Sequence, residues 1–294
     1  MALARLLKLE IPGEALIAVA KNESSIPALR IEALRALASQ KNTNLPTIIA
    51  SAFESKESSI RIEALEILAK FNPKSALDRI EVVLSSIKAN TLEQQTALTL
   101  LGNDLASAKG DAILNLLLKS FEKRPLSLKL DLAEAAAARE LKAPAPDFAH
   151  TLGGGNADRG ENLFMNHIAA QCIRCHKVKD GKGSDLGPNL KSAGLKERVH
   201  HLEAIVEPQK TITEGYGSIS LTLKNGKSIA GLFKSETKGV IEIKDAEGKI
   251  TKVTSKDVKE RTPVISTMPP MGAILTKREI RDVIEYLSTL KSKK

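Results

Sequence analysis

Apolar residues in the first 145 positions recur at helical spacing and in short repeated units. The segment RIEAL occupies residues 30–34 and returns at 61–65, each time after an ESSI stretch. A weaker copy runs over 128–138. Each unit predicts two short amphipathic helices. Buried Ala-Leu pairs are expected at 33–34, 64–65 and 97–98, and helix boundaries near the prolines at 27, 46, 73 and 125.

These units resemble HEAT-like helical repeats. The resemblance implies an α-solenoid over residues 1–142, in which stacked helix pairs bury a continuous core. Such a region is expected to act as a scaffold for partner docking or only as a spacer, since no exposed aromatic cluster marks a binding face. Residues 143–156, with APAP at 143–146 and three glycines at 153–155, are expected to form a linker to a second domain over 157–294.

The pattern changes to alternation after residue 216. Apolar residues at 219, 221 and 223 alternate with polar ones, and Asn225-Gly226 marks a tight hairpin turn. Further apolar runs predict four or five short antiparallel strands inserted at about 216–255. Gly231 within a strand suggests the bending of a small meander or barrel. The last 20 residues return to helical spacing, with Ile280, Val283, Ile284 and Leu287 on one face.

The composition is consistent with two domains, and the two halves of the chain differ in net charge. Residues 1–150 hold 19 Lys and Arg against 18 Asp and Glu, whereas residues 151–294 hold 25 against 17. A basic second half favours an acidic-surfaced partner, although lysines spread for solubility would give the same count. No nucleic-acid partner is expected, because no known binding fold or interleaving of aromatic and basic residues is present.

The strongest chemical signal is Cys172-Ile173-Arg174-Cys175-His176, which has the C-x-x-C-H spacing of covalent haem attachment. Two thiols one helical turn apart reach the two vinyl groups on one porphyrin edge, and the next residue supplies an axial imidazole. These are the only two cysteines of the chain. The alternatives are a redox dithiol, a structural disulfide or half of a zinc site. A zinc site would need a second pair of ligands, and only scattered histidines remain (150, 167, 200 and 201).

The flanks of this motif resemble class I cytochrome c. The resemblance implies that Gly160 and Phe164 of a first helix cross the last helix at Val283, Tyr286 and Leu287. It also implies that the carbonyl of Pro188, in a G-P-x-L loop, accepts a hydrogen bond from His176. Class I cytochromes supply a methionine as the sixth iron ligand from a loop before the last helix.

Two methionines lie in that loop, Met268 and Met271. Met268 fits better because Pro269 holds the chain extended. Met271 is the competitor, His200 or His201 would give bis-histidine ligation, and an open site also remains. Ordinary packing is the alternative role for both methionines.

The whole combination over about 157–291 resembles the Planctomycetes–Verrucomicrobia type of haem-binding domain. In that group the domain often ends large secreted proteins with helical repeats and an upstream β-propeller dehydrogenase-like domain. This chain has no propeller. The expected fold is therefore mainly α and multi-domain, a HEAT-like solenoid followed by an all-α cytochrome c-like domain with the β insertion.

The expected function is one-electron transfer by a single haem c. Cys172 and Cys175 would hold the haem, His176 and Met268 would bind its iron, and Pro188 would orient His176. The partner would be a redox protein or an upstream dehydrogenase domain that uses this domain as its acceptor, so the chain alone is not expected to be an enzyme. An open sixth position would instead favour a peroxidase or gas-binding sensor, and a scaffold in which haem is secondary is a further alternative.

Covalent haem attachment takes place outside the cytoplasm, so a periplasmic or other extracytoplasmic location is expected. Residues 1–22 do not form a signal peptide, because charged residues and Pro12 interrupt every apolar run. No stretch approaches the length of a membrane span. We expect a mature fragment of a longer exported protein.

Overall fold

The computed structural model describes residues 11–86, 88–178, 181–245 and 247–291. Within these ranges the chain forms twelve α-helices and one six-stranded antiparallel sheet. It divides into two compact units, Met1–Pro146 and Asp147–Lys294. Residues 1–10, which carry part of the segment assessed for a signal peptide, lie outside the described residues.

The first unit is helical, and its helix starts follow from local sequence. Helices α2 and α5 both begin with proline. At the first position of a helix the backbone N–H has no partner within the helix, so its absence in proline does not destabilise the helix. Asn90 and Glu93 form a reciprocal capping box at the start of α6. The helices are α1 (Gly13–Lys21), α2 (Pro27–Ser39), α3 (Leu45–Phe53), α4 (Ser58–Phe71), α5 (Pro73–Ser85), α6 (Thr91–Asn103), α7 (Ala108–Leu118) and α8 (Leu126–Ala138).

Ion pairs connect alternate helices of this unit. Arg35 on α2 donates to Glu63 on α4 (Nη2–Oε2 2.6 Å). Arg61 on α4 donates to Glu93 on α6 through two hydrogen bonds, 2.6 Å and 2.9 Å long. Both carboxylates are buried. Removing either arginine would therefore leave a buried charge without its main partner.

The fold class predicted from the sequence is wrong. The chain is mixed α and β, and the sheet is larger than the small inserted meander that was expected. The described residues do not show an α-helical solenoid. A solenoid buries one continuous core. The buried apolar residues of the first unit instead form two clusters, and the partly buried Phe53 and Leu68 pack against both. Repeated amphipathic helices are compatible with either arrangement, so the RIEAL repeat alone did not decide between them.

The second unit combines helices with the whole sheet. Its α-helices are α9 (Ala157–Asn166), α10 (Cys172–Cys175), α11 (Arg198–Val206) and α12 (Lys277–Thr289). Short 3-10 helices cover Phe148–Leu152, Ala193–Leu195, Ser255–Asp257 and Met271–Ala273. The segment expected as a linker, 143–156, is thus split, because its residues from Asp147 onward belong to this unit. Among the described residues of the chain, no helix has the length and apolar character to cross a membrane.

The sheet extends beyond the expected insertion at 216–255. Its strands are β1 (Gly217–Leu223), β2 (Ser228–Thr237), β3 (Val240–Lys244), β4 (Ile250–Thr254), β5 (Val258–Arg261) and β6 (Ile265–Ser266). The order is β4-β3-β2-β1-β5, and β6 pairs with β1. The sequence did not predict β5 or β6, because β5 is largely charged and exposed and β6 is only two residues long. Such strands lack the alternation that identifies a half-buried strand.

Candidate functional site

The two cysteines lie on a single helical turn beside an apolar cavity. Gln171, just before α10, adopts a left-handed backbone (φ 45°), which turns the chain into the helix. Cys172 is half-buried, Cys175 is exposed, and both thiols are free. Burial raises the pKa of the Cys172 thiol. Residues three apart on a helix are neighbours on its surface, so both thiols are accessible to one ligand in the cavity.

His176 follows this turn and is held through one ring nitrogen. Its Nδ1 lies 2.9 Å from the backbone carbonyl oxygen of Pro188. Burial lowers the pKa of His176, and the Pro188 hydrogen bond only partly offsets that effect. The ring is therefore neutral at pH 7 and donates its Nδ1 proton to Pro188. Its Nε2 then carries a lone pair, which is the form of imidazole that binds metal ions.

A glycine makes room for this ring. A Cβ added to Gly187 would lie 2.8 Å from Cε1 and 2.9 Å from Nδ1 of His176. The same glycine donates its N–H to the carbonyl of Cys175 at 2.6 Å, and Leu190 donates to Lys177 at 2.7 Å. The loop is thus tied to the cysteine turn by backbone hydrogen bonds, which fixes the position of the Pro188 carbonyl.

The cavity next to these residues has a volume of about 640 Å³. Its lining includes Cys172, Cys175 and His176 together with Pro188, Met268 and Met271. The remaining wall is mostly apolar, with Phe164, Ala170, Ile205, Val283 and Leu287 among its residues. The structure therefore brings all the predicted site residues, which come from distant parts of the sequence, to one cavity.

The crossing of α9 and α12 forms one side of this cavity. A Cβ on Gly160 would overlap the backbone carbonyl of Asp282, so only glycine allows this approach. The Phe164 and Tyr286 rings pack with centroids 5.6 Å apart. Arg159 donates to Asp282 at 2.8 Å. These contacts hold the helix that leads into the cysteine turn.

The methionine loop is positioned by the sheet. Strand β6 pairs with β1 through Gly217–Ser266 and Ser218–Ile265. The side chain of Gln209 binds both backbone groups of Ser266. Its Oε1 accepts the Ser266 N–H at 2.8 Å, and its Nε2 donates to the Ser266 carbonyl at 3.1 Å. The Met268 N–H then donates to the Ser266 hydroxyl at 3.2 Å. The β1–β6 pairing therefore fixes the start of the loop that carries Met268.

Both candidate methionines line the cavity, in different surroundings. Met271 is buried, begins the 3-10 helix Met271–Ala273 and belongs to the apolar cluster around α12. Met268 packs against the same cluster but is only half-buried, in the loop before that helix. A packed methionine already fills core space. Met268 is therefore the freer of the two thioethers.

His200 and His201, the alternative iron ligands that the sequence left open, differ in burial. His200 is exposed, although it lines the cavity. His201 also lines the cavity but is buried, and burial followed by the nearby His200 lowers the pKa of His201 to about 4. Its Nε2 has no hydrogen-bond partner among the described residues. A buried polar atom without a partner costs about 1–3 kcal/mol.

The other two histidines each accept a backbone hydrogen bond within their own segment. His150 Nδ1 accepts the Asp147 N–H at 3.2 Å. His167 Nδ1 accepts from Ala170 at 3.0 Å. Among the described residues, no group of three or more His, Cys, Asp or Glu side chains is arranged to hold a metal ion.

Sequence reasoning missed how several of these residues act. Gly187 is the glycine of the G-P-x-L motif, and the need for a glycine against the His176 ring becomes visible only in the structure. Ser266 and Gln209 carried no recognisable signal, because their role depends on strand pairing. The sequence alone could not distinguish His200 from His201, because the orientation of their short helix, which determines which of them is buried, was unknown.

No protein-family model matches this chain, and no curated protein matches it either.

Proposed function

We propose that the chain is a monohaem c-type cytochrome that transfers single electrons. The observation that carries this proposal is the convergence of Cys172, Cys175 and His176 on an apolar cavity that also includes Met268. A C-x-x-C-H segment on an exposed loop would not support it. Here the thiols, an imidazole with an oriented lone pair and a thioether border the same space.

The donor set and the space both fit a haem. Cofactor cavities usually measure about 300–1,000 Å³ and are mainly apolar with a few polar groups, and the cavity of about 640 Å³ falls within that range. Each thiol would add across one haem vinyl group, with sulfur bonding to one carbon and the hydrogen going to the other. That addition needs no oxidant. When bound, the haem supplies an iron that changes between two oxidation states.

The protein side chains would set the properties of that iron. His176 Nε2 and the Met268 sulfur would bind the iron, and Pro188 would fix the tautomer of His176. A thioether ligand raises the reduction potential relative to a second imidazole. Met268 is the proposed ligand because Met271 is already buried in the core around α12. With both His176 and Met268 holding the iron, reaction of substrates there would be disfavoured, so the chain alone is not an enzyme in this proposal.

Electron exchange would occur on the cysteine side of the cavity, since Cys175 is exposed. The basic charge of residues 151–294 favours an acidic-surfaced redox partner or an upstream dehydrogenase domain. Because haem is attached covalently outside the cytoplasm, the proposed location is periplasmic or otherwise extracytoplasmic.

The test is expression of the full chain with haem-maturation machinery, followed by acid–acetone extraction. The haem should stay with the denatured polypeptide, because two thioethers hold it. Replacing both cysteines (Cys172→Ala with Cys175→Ala) should make the haem extractable. A redox titration of the parent should follow a single one-electron transition. Extractable haem in the parent would refute the proposal.

The same material decides between the two methionines. Sulfur bound to oxidised haem iron gives a weak charge-transfer band at the red end of the visible spectrum. Met268→Ala should abolish this band, whereas the matched variant Met271→Ala should retain it. The reverse result would assign the iron ligand to Met271.

A further inference from the structure

Lys234 is the extra residue of a bulge in strand β2. Phe233 pairs with Ile243, and Ser235 pairs with Glu242, so Lys234 between them has no counterpart on β3. The pairing of β2 with β1 ends at Phe233. A bulge takes one residue out of the regular alternation of a strand and can turn its side chain in a new direction. The direction of the Lys234 side chain is therefore set by this irregularity.

The bulge directs the Lys234 ammonium group to the segment that enters β1. Its Nζ donates to the Gly215 carbonyl at 2.8 Å and lies 5.1 Å from the centroid of the Tyr216 ring. Gly215 has a left-handed backbone (φ 80°), and a Cβ there would lie 3.0 Å from Nζ. The glycine therefore turns the chain and leaves room for the ammonium group. The electron-rich face of the Tyr216 ring attracts the cation.

Lys234 has no negative partner among the described residues. Its side chain is half-buried, and its polar and ring contacts are those with the Gly215 carbonyl and the Tyr216 ring. Neither of these groups carries a charge. Lys252 of the same sheet, by contrast, pairs with Glu242. Cations that are withdrawn from water are usually paired, so the surroundings of Lys234 favour an anion that comes from outside the chain.

Tyr216 connects this cation with the cavity. The residue lines the cavity together with Met268, and its neighbour Gly217 pairs with Ser266 at the start of the methionine loop. Within the part of the chain that the structure describes, the Tyr216 hydroxyl has no hydrogen-bond partner and is not a buried polar atom. The hydroxyl is therefore free to donate to a ligand. A phenol on the cavity wall with an ammonium group against its ring is suited to a carboxylate.

We propose that Tyr216 and Lys234 hold a carboxylate of the molecule in the cavity, and that the sheet in this way raises the reduction potential of the site. This inference rests on the proposed function, in which that molecule is haem, which carries two carboxylate groups. The Tyr216 hydroxyl would donate to one carboxylate, and Lys234 would supply the opposite charge beside it. A negative charge without a nearby cation favours oxidised iron, so a cation at this position favours reduced iron.

The contacts of Lys234 distinguish it from the other lysines of the sheet. A charge on an exposed, mobile side chain has little effect at a distance, because water and salt screen it. Lys234 is half-buried and held by two contacts. Lys227, just before β2, carries the same charge but is exposed, and its side chain has no such contacts. Lys227 is therefore the matched control.

The test measures the midpoint potential of the haem-loaded full chain by redox titration. Lys234→Met should lower the potential, and Lys227→Met should shift it less. Lys234→Arg should stay close to the parent, because the charge is kept. Tyr216→Phe should also lower the potential, since the ring remains but the hydroxyl is lost. The double variant Lys234→Met/Tyr216→Phe should fall by less than the sum of the two single shifts, because both groups hold the same carboxylate.

Infrared spectroscopy detects the carboxylate directly. In redox difference spectra of protein loaded with haem that has isotopically labelled carboxylates, the labelled bands should shift in Lys234→Met and in Tyr216→Phe but not in Lys227→Met. The methionine charge-transfer band of each oxidised variant checks that the Met268 loop is intact. If Lys234→Met loses this band, Tyr216→Phe, which keeps the ring, decides the question.

Three results would overturn the inference. A shift of potential in Lys234→Met no larger than that in Lys227→Met would mean that the charge acts only over a long range. Unshifted carboxylate bands in both Lys234→Met and Tyr216→Phe would mean that neither group binds a carboxylate. A potential as low in Lys234→Arg as in Lys234→Met would mean that packing matters rather than charge. These results leave covalent haem in the parent intact, whereas failure of the cytochrome proposal appears as extractable haem in the parent.

Discussion

His176 owes its orientation to a backbone carbonyl. The Pro188 carbonyl oxygen lies 2.9 Å from Nδ1 of His176, and Gly187 in the same loop clears the space beside the ring. The side chains at these two positions contribute little chemistry. Their effect is to fix which nitrogen of the ring carries the proton, and this determines what the imidazole can bind.

The burial of His201 predicts a specific dependence of stability on pH. Burial and His200 lower the pKa of His201 from 6.5 to about 4. Between these values the unfolded chain binds a proton that the folded chain does not, so the free energy of unfolding falls as pH falls from 6.5 to 4. His201→Leu should remove about 1–3 kcal/mol of this loss. Urea denaturation at several pH values measures it.

The control for this measurement is His200→Leu, at the exposed neighbouring position. Its stability should still fall as the pH falls, but less steeply than that of the parent, because burial is the larger cause of the lowered His201 pKa and His200 the smaller one. If His201→Leu leaves the slope unchanged, then His201 is not the group that takes up the proton on unfolding.

At the scale of elements, the sheet and the methionine loop form one structure. Strand β6 is only two residues long, yet it connects the edge of β1 to the segment that carries Met268. The strands of the sheet are therefore coupled to the cavity through β6, which lies beyond the expected insertion. A partner-binding role for the sheet is not needed to explain why it is there.

This coupling predicts the effect of removing the strands. Replacing residues 217–256 by a short Gly/Ser linker deletes β1, so β6 loses its pairing partner. The methionine charge-transfer band should then disappear, while covalent haem remains because the cysteine turn is untouched. Visible spectroscopy of the oxidised protein measures both. As a control, Asn225→Gly in the exposed turn between β1 and β2 should retain the band.

A retained band in the deletion variant would contradict this coupling. It would mean that Gln209, whose side chain brackets Ser266, holds the loop without the sheet.

The sequence predicted those features that depend on local spacing and missed those that depend on pairing at a distance. The helical spacing of Ile280 to Leu287 predicted α12, and the Asn225-Gly226 turn predicted the hairpin of β1 and β2. Strands β5 and β6 lack local alternation and exist because β1 offers an edge. The solenoid expectation failed because the RIEAL repeat specifies similar helices but not how they share a core.

The candidate site shows the same division. The spacing of Cys172, Cys175 and His176 indicates its chemistry without any structure. That Met268 and His201 border the same cavity depends on how α11 and the sheet pack, which one sequence does not reveal. The choice of residue at Gly187 is likewise explained only by the position of a ring eleven residues earlier.

At the scale of the whole molecule, the position of the boundary between the two units shows which residues belong to the unit that contains the cavity. The second unit begins at Asp147. Thr151 is fully buried, and Thr151 Oγ1 donates to the Phe148 carbonyl at 2.6 Å. A Cβ on Gly272 would lie 3.0 Å from Cζ of Phe148. Residues 148–152 thus pack beside the 3-10 helix that follows the Met268 loop, rather than forming a free connection.

Two fragments test this boundary. The fragment 147–294 should fold alone, keep covalent haem and show the low-spin spectrum of the full chain, because the cavity residues all belong to this unit. The fragment 156–294 lacks the 3-10 helix Phe148–Leu152 and should be less stable by about 1–3 kcal/mol, from the lost apolar burial and hydrogen bonds. Thermal denaturation of both haem-loaded fragments measures the difference.

Phe148→Ala in the full chain is the matched control and should reproduce part of this loss of stability. Equal stability of the two fragments would place 147–155 outside the cooperative unit, and failure of 147–294 to fold would show that the second unit requires the first.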